Sequence, residues 1–190
     1  YEIPLRLVGS EMCIRDSTMT QHIFLTGKKH IGKSTLIQKI LDDYKKTADG
    51  FLTVRTKDYL KNQYSVHMYH LKEKEFPNES NLLFLCGKTD EHTADTFDLL
   101  GCNILSMCSD CSLIVMDELG PHEADATLFR KKILNLLDGQ TPILGVLQEP
   151  AESFWPEIVN HPKVEIITIS EDNRNDRALL NYIQCKISSP

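Results

Sequence analysis

Apolar residues fall along this chain in two kinds of period. Ile23, Phe24 and Leu25 form a short run that stops at Gly27, which predicts a strand. From Ser34 to Lys46 the apolar positions Leu36, Ile37, Ile40, Leu41 and Tyr44 recur at spacings of three and four, which predicts one face of a helix ended by Ala48-Asp49-Gly50. Phe51 to Arg55 reads as a strand. Tyr64 to Leu71 reads as a second, with Tyr64, Val66 and Met68 alternating with polar residues. Two strands with no helix between them predict an antiparallel extension of a mainly parallel sheet. Lys72 to Ser80, with Pro77, reads as loop, and Leu82 to Cys86 as a further short strand. Phe97, Leu100, Ile104, Leu105 and Cys108 predict a helix from Thr93 to Ser109, with Gly101 as a tolerated weak point. Leu113 to Met116 are four consecutive apolar residues, the pattern of a strand buried on both faces. A helix from Asp125 to Asp138, with Leu128, Phe129, Ile133, Leu136 and Leu137 inward, ends before Gly139. Thr141 to Leu147 is the next strand, and a short helix from Phe154-Trp155-Pro156 stops near His161-Pro162. Val164 to Ile169 reads as the last core strand, before a terminal helix carrying Asn173, Arg174 and Arg177. Strands alternating with helices make this an α/β chain built as a three-layer sandwich.

The first strand and helix frame a particular stretch, Gly27-Lys28-Lys29-His30-Ile31-Gly32-Lys33-Ser34-Thr35. Its spacing is G-x-x-x-x-G-K-[ST], the phosphate-binding P-loop or Walker A pattern. A loop that wraps a phosphate must aim successive backbone N–H groups inward, and the helix behind it adds its own unpaired N–H groups and positive dipole end. Lys33 is then expected to serve the β- and γ-phosphates, Ser34 to ligate Mg²⁺, and Thr35 to sit near the α-phosphate. Lys28, Lys29 and His30 fill the variable positions of the loop, and the two lysines are expected to make it more electropositive. The buried strand at Leu113 ends in Asp117-Glu118-Leu119-Gly120, a Walker B pattern at the carboxyl end, where α/β proteins place ligands. Asp117 is expected to hold Mg²⁺ through water, and Glu118 to polarise the attacking water. Gln148, at the end of the next strand, either faces the phosphates or caps a loop.

Composition narrows the classes. A chain of 190 residues with 41% hydrophobic content is most simply one domain, placed here at 19–190. A net charge of −6 gives no electrostatic footprint for nucleic acid, and no apolar stretch approaches the roughly 20 residues that span a bilayer. Cys108-Ser-Asp-Cys111 is a lone C-x-x-C, so the six cysteines read as reduced, mostly buried thiols of a cytoplasmic protein. Residues 1–18 fit nothing downstream; the stretch to Ser17 resembles translated adapter read-through, and Met19 is a natural start.

Taken together, the chain resembles the small P-loop nucleoside-triphosphatases of the cancer-related or thermophile type. The resemblance rests on Phe24 to Gly27 through Gly32 to Thr35, Gly50 to Arg55, Asp117 to Gly120 with Glu123, and Thr168 through Asn173-Arg174. It implies an ASCE-type sheet in which one strand separates the Walker B strand from the P-loop strand. It further implies Mg²⁺-dependent hydrolysis of ATP, GTP and other nucleoside triphosphates, with Arg55, Asn173 and Arg174 added to the nucleotide-binding set. A cytoplasmic monomer is the expectation that goes with it. Two departures stand out: the P-loop is poor in glycine, and Asp58 to Gln63 replaces the family's glycine-rich stretch after the second strand. Low turnover is the expectation they imply.

Two other functions remain open on the residues. A phosphotransferase would let an acceptor hydroxyl replace water, but no arginine cluster follows the Walker B strand to form the usual lid. A nucleotide-gated binding module would use the same loop as a timer.

Overall fold

The computed structural model describes residues 21–73, 76–87 and 92–188. The expected leader therefore lies outside the described residues. Strands β1 (His22–Thr26), β2 (Ala48–Leu60), β3 (Gln63–His70), β4 (Leu82–Leu85), β5 (Leu113–Leu119), β6 (Ile143–Leu147) and β7 (Val164–Thr168) form one sheet in the order β4-β3-β2-β5-β6-β1-β7. Helices α1 (Lys33–Asp43), α2 (Thr93–Ser106), α3 (Thr127–Asp138), α4 (Ala151–Phe154), α5 (Pro156–Val159) and α6 (Arg177–Ser188) cover its two faces. The pairs from β2 through β5, β6 and β1 to β7 are parallel, and β2-β3-β4 is antiparallel. As expected, one strand, β6, stands between β5 and β1.

Alternation along the central strands makes two cores. Phe24, Ile114, Met116, Ile143 and Leu147 point to one face, where Phe97, Phe129, Ile133, Trp155 and Ile158 cover them. Ile23, Leu25, Leu113, Val115, Leu144 and Val146 point to the other, under Leu36, Ile37, Ile40, Ile183 and Ile187. Side chains of period 2 meeting helices of period 3.6 on both sides is the physical content of the sandwich. His22 lies within this packing with no exposure, its Nε2 2.9 Å from the Leu137 carbonyl, and burial pushes its pKa down to about 4.

Several expectations need correction. Ala48-Asp49-Gly50 does not end α1 but opens β2, which runs through Leu60, because parallel pairing with β5 supplies its partners from Ala48 onward. α2 stops at Ser106, and a separate 3₁₀ turn carries Cys108. A 3₁₀ turn also occupies Glu79–Asn81 in the predicted loop. Leu128 faces outward at 63% exposure, so the inner face of α3 is Phe129, Ile133 and Leu137. β7 is an edge strand, and none of its five residues is fully buried. α6 begins at Arg177, so Asn173 and Arg174 belong to the turn before it. Of the described cysteines only Cys108 is buried.

Candidate functional site

The loop between β1 and α1 owes its path to two glycines with different tasks. Gly27 has φ 133, and a Cβ there would stand 2.4 Å from the Ile169 carbonyl oxygen, so both conformation and space require glycine. Gly32 has φ 110 with nothing near a Cβ, so there the requirement is conformational alone. His30 also enters the left-handed region, at φ 65. No side chain caps α1 and no acidic residue stands in its first turn. Its first N–H groups and dipole are thus left for an external anion. Lys28, Lys29 and His30 are exposed, whereas Ile31 is buried under the loop. The Lys33 ammonium is nearly buried and donates to the carbonyls of Gly27 (2.6 Å) and Lys28 (3.1 Å). Burial lowers its pKa, and the charges of Glu118, Glu149 and Asp117 act in the opposite direction.

β5 delivers the acidic half. Ser34 Oγ donates to Asp117 Oδ1 at 3.0 Å, joining positions 83 residues apart. Asp117 is buried, and its carbonyl accepts from Thr53 Oγ1 at 2.9 Å. Register then slips. Met116 pairs with Gly145 and Leu119 with Leu147, so Asp117 and Glu118 together stand against the single residue Val146. This is a β-bulge, and Glu118 occupies it at φ 63, a conformation uncommon for a residue with a Cβ. The bulge breaks the alternation of the strand and brings Glu118 to the cavity that Lys33 and Ser34 also line. The turn beyond is clamped from three sides. Gly120 N–H donates to the Glu123 carboxylate, its carbonyl accepts from Trp155 Nε1 at 3.0 Å, and a Cβ on it would lie 2.5 Å from Gln148 Oε1. Glu123 is buried, and desolvation pushes its pKa up to about 7.

Part of this set lines a cavity of about 640 Å³. Lys29, His30, Gly32, Lys33, Ser34, Thr35, Arg55, Glu118 and Gln148 all line it. The Arg55 guanidinium is parked 4.1 Å over the Tyr64 ring. Asn173 and Arg174 are not brought to this cavity. Asn173 closes the turn after β7 through Ser170 N–H (2.8 Å) and the Thr168 carbonyl (2.9 Å), on the opposite flank of the P-loop strand. Thr53, His122 and Glu149 were not singled out from the sequence. Thr53 and His122 line the cavity, and Glu149 acts on Lys33 through its charge. His122 and Glu149 sit in polar turns with no periodic signal, and Thr53 is one of several polar strand residues.

Comparison with known proteins places this geometry among relatives. A family model described as NTPase matches residues 22–183. Nucleoside-triphosphatase THEP1 of Thermotoga maritima is 25% identical over 169 residues, 85% of this chain and 92% of that protein. The cancer-related nucleoside-triphosphatase of Homo sapiens is 28% identical over 191 residues, 90% of this chain and 99% of that protein. Among solved structures, THEP1 of Aquifex aeolicus superposes with a TM-score of 0.70 at 19% identity, covering 88% of this chain and 99% of that one. A human cancer-related nucleoside triphosphatase superposes at 0.61 and 25% identity, covering 90% and 100%.

Proposed function

Because the chain belongs to the NTPase family, we propose that it hydrolyses nucleoside 5′-triphosphates to the diphosphate and phosphate, using Mg²⁺. The observation that carries this reading is the 3.0 Å contact between Ser34 Oγ and Asp117 Oδ1, which unites the anion-binding loop with the carboxylate pair.

The donor set fits the metal. A hydroxyl and one carboxylate are hard oxygen ligands, and Mg²⁺ is commonly held by one or two such groups together with substrate phosphates and water. Among the described residues no cluster of three or more His, Cys, Asp or Glu could hold an ion, and a site completed by substrate needs none. When bound, Mg²⁺ neutralises charge on the β- and γ-phosphates. Lys33 adds a second positive charge to the same oxygens, and the N–H groups of the loop and of the α1 terminus cradle them. Glu118 accepts a proton from the attacking water as its oxygen bonds to the γ-phosphorus and the bond to the β,γ-bridging oxygen breaks. Asp117 holds the Ser34 hydroxyl, and Thr53 fixes the Asp117 backbone beneath it. Lys28, Lys29 and Arg55 add cationic character around the triphosphate with His30 beside them, and Asn173 with Arg174 would meet the nucleoside end beyond Thr35. A monomer in a reducing, cytoplasmic setting belongs to the same reading; no disulfide joins the described cysteines, as such a compartment favours.

Phosphate release from ATP, GTP, CTP and UTP, with and without Mg²⁺, tests the proposal. Release is expected from the parent only with the cation, and Lys33→Ala is expected to lose tight triphosphate binding. A Lys33→Ala variant with parental affinity and turnover would contradict the assignment of the loop.

A further inference from the structure

The cavity of about 640 Å³ has a charged end and an apolar end. A triphosphate tail is met at one end by Lys33, Ser34 and Thr35. The attacking nucleophile must approach the γ-phosphorus in line, from the side away from the leaving diphosphate. Glu118 marks that side. The cavity does not stop there, for it continues between the antiparallel extension and α2, walled by Val66, Leu83, Phe84 and Phe97. Leu83 and Phe97 are 4% and 3% exposed, so this wall belongs to the core. The His122 ring lies 4.2 Å from that of Phe84, giving the chamber an aromatic side, and burial keeps the imidazole on the neutral side of its ordinary range. None of the lining comes from β7 or α6. A lone water molecule has no use for apolar and aromatic walls, whereas such walls with a few polar groups are the ordinary form of a small-molecule site.

We infer that this chamber binds a second substrate, a small aromatic molecule bearing a hydroxyl group, and that its hydroxyl accepts the γ-phosphoryl group. The inference rests on the triphosphate assignment above. The acceptor oxygen forms a bond to the γ-phosphorus, the bond to the β,γ-bridging oxygen breaks with its electron pair leaving on the nucleoside diphosphate, and the hydroxyl proton passes to the Glu118 carboxylate. Water completes the same step when it arrives instead. The ring lies against Phe84, Phe97 and Val66, which line the same cavity as Lys33 and Ser34.

The test follows the γ-phosphoryl group of radiolabelled ATP with Mg²⁺ and three probes, adenosine, uridine and 4-hydroxybenzyl alcohol, each near 1 mM, where weak sites fill. A labelled, phosphorylated probe is expected from at least one. Val66→Trp fills the chamber and should lower the ratio of transferred to released phosphate by about tenfold, while Phe84→Ala, which removes an aromatic wall, should lower it as well should the larger substitution fail to fold. Free phosphate from the parent without labelled product from any probe would overturn the acceptor and leave the hydrolase standing. No phosphate and no product would remove the triphosphate reading beneath it. A rise in the KM for ATP that matches the fall in transfer in Val66→Trp would show that the chamber holds the nucleotide's own base, and would also overturn the inference.

Discussion

At Glu118 the backbone turns to φ 63 and the side chain leaves the strand's alternation to reach the cavity. Holding a residue with a Cβ in that region costs about 1–2 kcal/mol, whereas glycine enters it freely. Glu118→Gly is therefore expected to keep or raise thermal stability, by up to about 1 kcal/mol after glycine's greater chain entropy, while abolishing turnover. Paired melting and phosphate-release curves check this, and a melting temperature several degrees lower would show that the bulge is not strained. Glu123, three residues beyond the clamped Gly120, makes a second prediction at this scale. Its folded pKa of about 7 lies above the ordinary 4.5, so its contribution to stability is fully present below 4.5 and is lost as pH rises through 7. Glu123→Gln can still accept the Gly120 N–H but carries no charge. Relative to the parent it should gain stability across that window, on the order of 3 kcal/mol by pH 8 and none at pH 4. Denaturant midpoints at the two pH values read the difference, and a gain that is the same at both would contradict a neutral, buried Glu123.

Among the elements, α2 and α3 approach closely enough to give Gly101 a purpose that periodicity hides. A Cβ at that position would lie 2.3 Å from the Phe129 ring. Read as helix propensity, Gly101→Ala should gain about 1 kcal/mol. Packing reverses the sign, because the ring is fully buried and stacked on Phe97 with centroids 5.9 Å apart, so it has no room to withdraw. We expect Gly101→Ala to destabilise by roughly 1–3 kcal/mol, measured as a lower denaturant midpoint at unchanged slope. A more stable variant would return Gly101 to the status of a tolerated weak point. This position also shows why some elements were legible and others were not. β5 announced itself because both its faces are buried, and α1 because its stripe faces a single core. The ends of α2 and β2 were misplaced because pairing with distant strands and the 3₁₀ turn at Cys108 decide them, not the residues at the boundary.

Over the whole molecule, the meeting of Ser34 with Asp117 could be read from the sequence because it joins two short contiguous motifs, each at the carboxyl end of an apolar strand. What lay beyond reading was whatever three or more distant segments build together. The chamber takes its walls from β3, β4 and α2, and the clamp on Gly120 joins Glu123, Gln148 and Trp155 across 31 intervening positions. Arg55 was placed on the nucleotide by resemblance, yet its charge rests on Tyr64 and only shares the cavity. Asn173 and Arg174 fell on the opposite flank, separated from Glu118 by β6 and β1.

We propose that the bulge in β5 presents Glu118 as the base for attack on the γ-phosphate. Steady-state turnover and nucleotide affinity in Glu118→Gln test it most directly, since glutamine keeps the shape and removes the charge and basicity. A group that acts in the transition state should change kcat far more than binding. Turnover is expected to fall by roughly 10² to 10⁴, with nucleoside triphosphate affinity unchanged or tighter. Parental turnover in Glu118→Gln would contradict the account.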